Sequence, residues 1–176
     1  MQFQENWIWY EAPENVFLMN KINLTKEIDM WALGCVIIEM YINHPLFSAT
    51  SIEDQIINTI HIMGYPQKEH IRGLNQLGFY DYVSQNDEKM RTKQAEELRS
   101  IIAQLIHRDY REGEASRLKH SSTRADILNA PDLLKNIADL IANLLNYDQR
   151  KRSTINQIIQ HPFFHIDENE TIRIMH

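Results

Sequence analysis

The chain has 176 residues, 43% of them hydrophobic and 24% charged, with a formal net charge of −6. That balance describes one globular domain rather than a disordered tail or a fibre, and the acidic charge argues against general nucleic-acid binding. No apolar run reaches the roughly 20 residues needed to span a bilayer, and the first six residues lack a basic signal region, so membrane insertion and secretion are not expected. A single cysteine excludes an internal disulfide framework and fits an intracellular, reducing compartment. Five glycines and five prolines leave little room for a many-turned β-sandwich, so the expectation is a mainly α domain.

Ile28 to Ile42 is the strongest segment. Twelve of its fifteen residues are apolar, and they do not fall on one stripe. A helix apolar all round belongs at the centre of a domain, with neighbours on every side. Thr25 is placed to cap its start, and Asn43-His44-Pro45 to stop it. Asp29 is then a carboxylate in the first turn of a buried helix and needs donors.

A second helix is predicted from about Ser51 to Met63, opened by Thr50 or Ser51 and ended by Gly64 and Pro66. Residues 65–87 read as loop with short turns. From about Glu88 to Arg108 the pattern is amphipathic, with Leu98, Ile101, Ile102, Leu105 and Ile106 on one face. Residues 109–130 are polar and read as a loop. Pro131-Asp132 opens another helix with a stripe of Leu133, Leu134, Ile137, Leu140, Ile141, Leu144 and Leu145. The last helix starts at Thr154, with Gln157 at capping-box spacing, and Phe163-Phe164 follow as an apolar anchor.

Four segments in this order resemble the protein kinase family. Tyr10-Glu11-Ala12-Pro13-Glu14 is similar to the motif that closes the kinase activation segment. Asp29-Met30-Trp31-Ala32-Leu33-Gly34 is similar to the start of the family's central helix. Pro45-Leu46-Phe47 and Met63-Gly64-Tyr65-Pro66 resemble the group containing cyclin-dependent and MAP kinases (CMGC). Asp148 to Thr154, followed by His161-Pro162-Phe163-Phe164, resembles the family's closing arginine and His-Pro-Phe-Phe pattern. The resemblance implies a partial kinase C-terminal lobe around one buried central helix, without the N-terminal β lobe. The resemblance covers roughly residues 9–164, and the lobe is expected to span 1–164, with an insert at about 65–124 and a tail at 165–176.

The same resemblance implies roles. Trp9, Tyr10, Ala12, Pro13 and Glu14 would form the substrate-docking loop. Glu14, Asp29, Trp31, Gly34 and Arg152 would hold structural positions. Glu14 would pair with Arg152, and Asp29 would hold the backbone of a catalytic loop. The implied activity is phosphoryl transfer from ATP to protein serine or threonine, with ATP and magnesium needed only by a full-length parent.

This chain alone is not expected to be catalytic. No two glycines have G-x-G spacing, and no Asp-Phe-Gly occurs. His107-Arg108-Asp109 spells the catalytic-loop signature, but it follows Ala-Pro-Glu instead of preceding it, and Glu114 stands where the metal-ligating asparagine belongs. Before Ala-Pro-Glu, Trp7 replaces the group's threonine, and Ile8 and Glu11 replace two arginines. Two readings result: a C-terminal portion of a CMGC-like kinase that needs its N-terminal half, or a stand-alone pseudokinase-like module that binds a protein partner.

Other residues carry weaker signals. His161 and His165 have ligand-like spacing, but Pro162 separates them and zinc is not expected. Cys35 reads as a small core residue, and Ser116, Ser121, Ser122 and Thr123 as possible phosphate acceptors beside basic residues.

Overall fold

The computed structural model describes residues 6–17, 25–66, 70–71, 98–108 and 131–164. A 3-10 turn over Asn6–Tyr10 leads into a short helix, α1 (Pro13–Val16), then α2 (Lys26–Ile42) and α3 (Ile52–Met63). Residues 98–108 are helical (α4), followed by α5 (Pro131–Leu144) and α6 (Ile155–Ile159). Further 3-10 turns cover Gln149–Lys151 and Pro162–Phe164. No strand occurs among the described residues. The expected loops at 109–130, the start of the amphipathic segment near Glu88 and the tail beyond Phe164 lie outside the described residues.

Local chemistry sets the helix boundaries. The Ser51 hydroxyl accepts from the Asp54 amide at 3.1 Å and caps α3, and Gly64 ends the helix at φ 78°. Asn43 stops α2 in the left-handed conformation at φ 61°. Thr154 and Gln157 form the capping box of α6. Thr25 differs from expectation: it occupies the N-cap position of α2, but its side chain makes no capping bond.

The core is assembled on α2. Trp31, Cys35, Ile38 and Ile42 enter it from one side, with Phe47, Ile56 and Ile60 from the loop after α2 and from α3. Leu98, Ile102 and Ile106 of α4 join Ile137 and Ile141 of α5, as the stripes require. A smaller cluster of Leu140, Leu144 and Ile158 packs under Met30, Leu33 and Ile37, on the far side of α2.

Two expectations about α2 and the last turn need correction. The helix is not covered all round: Val36 is 46% and Met40 67% exposed, and Asp29 is also exposed. A helix's composition reports which faces would gain from cover, not which faces have it. Of the Phe163-Phe164 pair, only Phe163 packs on the core, while Phe164 is exposed.

Candidate functional site

Residues 9–14 are held at three points. The Trp9 indole Nε1 donates to the Ala49 carbonyl at 2.7 Å, and the Tyr10 hydroxyl donates to Glu39 Oε2 at 2.6 Å. Ala12 is fully buried and caps α1 with its carbonyl, which accepts from the Asn15 and Val16 amides. Pro13 follows at the first helical position, where its missing N–H costs nothing.

Glu14 provides the third point. Its carboxylate receives two bonds from the buried Arg152, Nη1 to Oε1 at 2.8 Å and Nη2 to Oε2 at 3.0 Å, across 138 residues of chain. The other Arg152 donors are also used. Nη1 reaches the Glu27 carbonyl at 2.6 Å, while Nε and Nη2 reach the Asn146 carbonyl at 3.2 and 2.9 Å. A guanidinium has five N–H groups, and here each has an acceptor. Its plane also lies against Trp31, 5.3 Å from the ring centroid, and Trp31 stacks on Phe47 at 5.6 Å. One arginine therefore joins α1, the start of α2 and the turn after α5.

The turn that presents Arg152 is itself capped. Asp148 is buried and accepts from the Arg150 amide at 3.1 Å and from its guanidinium at 2.8 and 2.9 Å. These bonds hold its carboxyl below the usual range, against the opposing effect of burial. Tyr147, one residue earlier, donates to the Gly64 carbonyl at 2.8 Å, and burial pushes its phenol up.

Gly34 lies at the closest approach of α2 to α5. A Cβ there would meet Leu144 Cβ and Leu145 Cδ2, each at 2.9 Å. Cys35 is buried, and that burial raises its thiol pKa. Asp29 lies apart from the Glu14–Arg152 group, exposed in the first turn of α2.

Glu39 was not singled out from sequence, although it is the one carboxylate in the second half of the apolar α2. The hydrogen bond it accepts from Tyr10, with burial adding to the effect, pushes the Tyr10 phenol up to about 12. Asn146 was also missed, since a backbone carbonyl leaves no sequence signal. His161 binds Asp139 through Nε2 at 3.1 Å, and no group of three His, Cys, Asp or Glu among the described residues is placed to hold a metal ion. His165, Asp109 and the serines at 116–122 lie outside the described residues.

A buried ion pair closing an Ala-Pro-Glu segment onto an apolar helix points to one family, and the protein kinase domain model matches residues 4–164. The chain belongs to the protein kinase domain family. It is 30% identical over 158 residues to the serine/threonine-protein kinase ppk23 of Schizosaccharomyces pombe, covering 90% of this chain and 31% of that protein. Protein kinase gsk3 of the same organism is 28% identical over 156 residues, with 89% and 31% covered. The chain thus spans about a third of these relatives' length, and they agree with the CMGC resemblance.

Among solved structures, the yeast RNA Pol II CTD kinase CTDK-1 complex superposes with a TM-score of 0.59 at 20% identity, over 95% of this chain and 47% of that one. The fold is the mainly α, C-terminal lobe of a kinase. No helix among the described residues is long and apolar enough to cross a membrane.

Proposed function

We propose that this chain is the substrate-docking part of a CMGC-like serine/threonine protein kinase domain, and that it transfers no phosphate by itself. The observation that carries this reading is the Glu14–Arg152 clamp, which fixes residues 9–14 on the lobe with every guanidinium N–H satisfied. A rigid docking segment is useful only beside a phosphoryl-transfer centre or as a binding surface. The domain runs from residue 1 to 164, with the 65–124 insert as a partner-docking region and 165–176 as a tail.

Its first partner is the N-terminal kinase half, supplied on the same polypeptide or on another. The exposed Asp29, Val36 and Met40 side of α2 is where that half would seat, with backbone donors for Asp29. ATP and magnesium would be bound by that half. The compartment is the cytoplasm or nucleus.

A second reading keeps the fold and removes the chemistry. Trp7, Ile8 and Glu11 stand where the CMGC pattern has a threonine and two arginines, and that change favours a pseudokinase-like binding module.

Blotting the endogenous protein with an antibody to residues 88–124 separates the two. A band well above 20.9 kDa, whose immunoprecipitate labels a protein acceptor from radioactive ATP, supports the kinase reading. A band at 20.9 kDa without labelling overturns it in favour of the binding module.

A further inference from the structure

We infer that Glu11 makes the docking segment select a partner segment carrying a lysine or arginine. This rests on the docking reading above, and it deepens that reading by naming what is docked. Position 11 immediately precedes the buried Ala12, and the backbone on either side is pinned through Trp9, Tyr10 and Glu14. The Glu11 carboxylate is half-exposed, so it is presented from a fixed place.

Among the described residues no cation is paired with this carboxylate. The Glu11 side chain receives a hydrogen bond from the Asn15 amide, a neutral donor that orients the carboxylate without cancelling it. Residues 1–20 and 27–67 contain no lysine or arginine at all. The 3-10 turn, α1 and α3 are therefore free of both, and α2 has only Lys26, at its far end. Arg152, the buried cation beside this segment, spends its charge on Glu14. Where the CMGC pattern places an arginine, this chain presents a carboxylate that has no ion-pair partner among the described residues, a change of two charge units at one fixed point. A docked cation would meet attraction there, and a docked carboxylate repulsion.

The test is fluorescence anisotropy with the 176-residue chain and two labelled peptides, identical except that one carries Lys-Arg where the other carries Glu-Glu. The basic peptide is expected to bind about fivefold more tightly, as suits an exposed charge pair. That advantage shrinks at 0.5 M salt, since the Debye length is then only a few ångströms. Glu11→Gln is expected to abolish the preference and Glu11→Arg to reverse it, while Glu53→Gln, in the first turn of α3, leaves it intact; circular dichroism checks that each variant is folded. Equal binding of the two peptides, or a preference that survives Glu11→Arg, overturns the inference and leaves the docking reading standing. Absence of binding by either peptide overturns both.

Discussion

Arg152 joins three separate pieces of chain through five hydrogen bonds, and its loss would leave the Glu14 carboxylate buried without a partner. Removing one member of such a pair costs about 3–5 kcal/mol, whereas replacing both with apolar groups of similar volume is often far milder. We therefore expect Arg152→Met to lower stability by about 3–5 kcal/mol in a urea titration, and Glu14→Leu with Arg152→Met to cost less than either change alone. A double variant as damaging as the sum of the two singles would show that the pair is not the unit that matters.

Two titrating groups add pH limits at the same scale. The Asp148 carboxyl is held low in the folded chain by its bonds from Arg150, so its contribution is present above the unfolded carboxylate value and is lost as pH falls below about 4. Tyr10 is raised to about 12, so its contribution is complete below pH 10 and disappears between there and about 12. Tyr10→Phe should remove the part of the alkaline destabilisation that Tyr10 causes, read as the difference between melting temperatures at pH 9 and pH 11. A difference unchanged by the substitution would rule out Tyr10 as its source.

At the scale of elements, the α2–α5 contact depends on Gly34. Alanine is about 1 kcal/mol more favourable than glycine inside a helix, yet its Cβ would sit 2.9 Å from Leu144 Cβ, an atom fixed to the α5 backbone. Overpacking of this kind costs about 1–3 kcal/mol, so the steric effect wins. Gly34→Ala should lower the melting temperature. A variant as stable as the parent would mean that α5 shifts freely.

The helices whose residues make their own boundaries were legible in the sequence. Ser51 and Gly64 bracket α3, Thr154 and Gln157 start α6, and the stripes of α4 and α5 face the core as their spacing demands. The Glu14–Arg152 pair was accessible only through resemblance, because no local pattern links residues 138 apart. Asn146 and Glu27 could not be read at all, since they act through backbone carbonyls. The cover of α2 was legible only in part: a helix apolar off any single stripe calls for neighbours on every side, and in this chain Val36 and Met40 point outward without them.

For the molecule as a whole, that outward stripe decides how the isolated chain behaves. Val36 and Met40 lie one turn apart on the helix that organises the core, and Ile155, Ile159 and Phe164 are exposed as well. Each large apolar side chain left in water forgoes roughly 1.5–3 kcal/mol, against a typical domain stability of about 5–15 kcal/mol. The 176-residue chain on its own should therefore be marginally stable, bind a hydrophobic dye and associate at high concentration. Val36→Glu with Met40→Lys places an i, i+4 ion pair on the same face, and it should reduce dye binding and association without lowering the melting temperature. Under the kinase reading proposed above, the same double variant should fail to assemble with an N-terminal half, because it removes the apolar stripe on which that half would seat. A parent chain that melts cooperatively as a monomer above about 55 °C, inside the range of ordinary self-sufficient domains, would contradict the expectation. Its α2 face would then be tolerated in water rather than waiting for cover, and the stand-alone binding module would become the better reading of the fold.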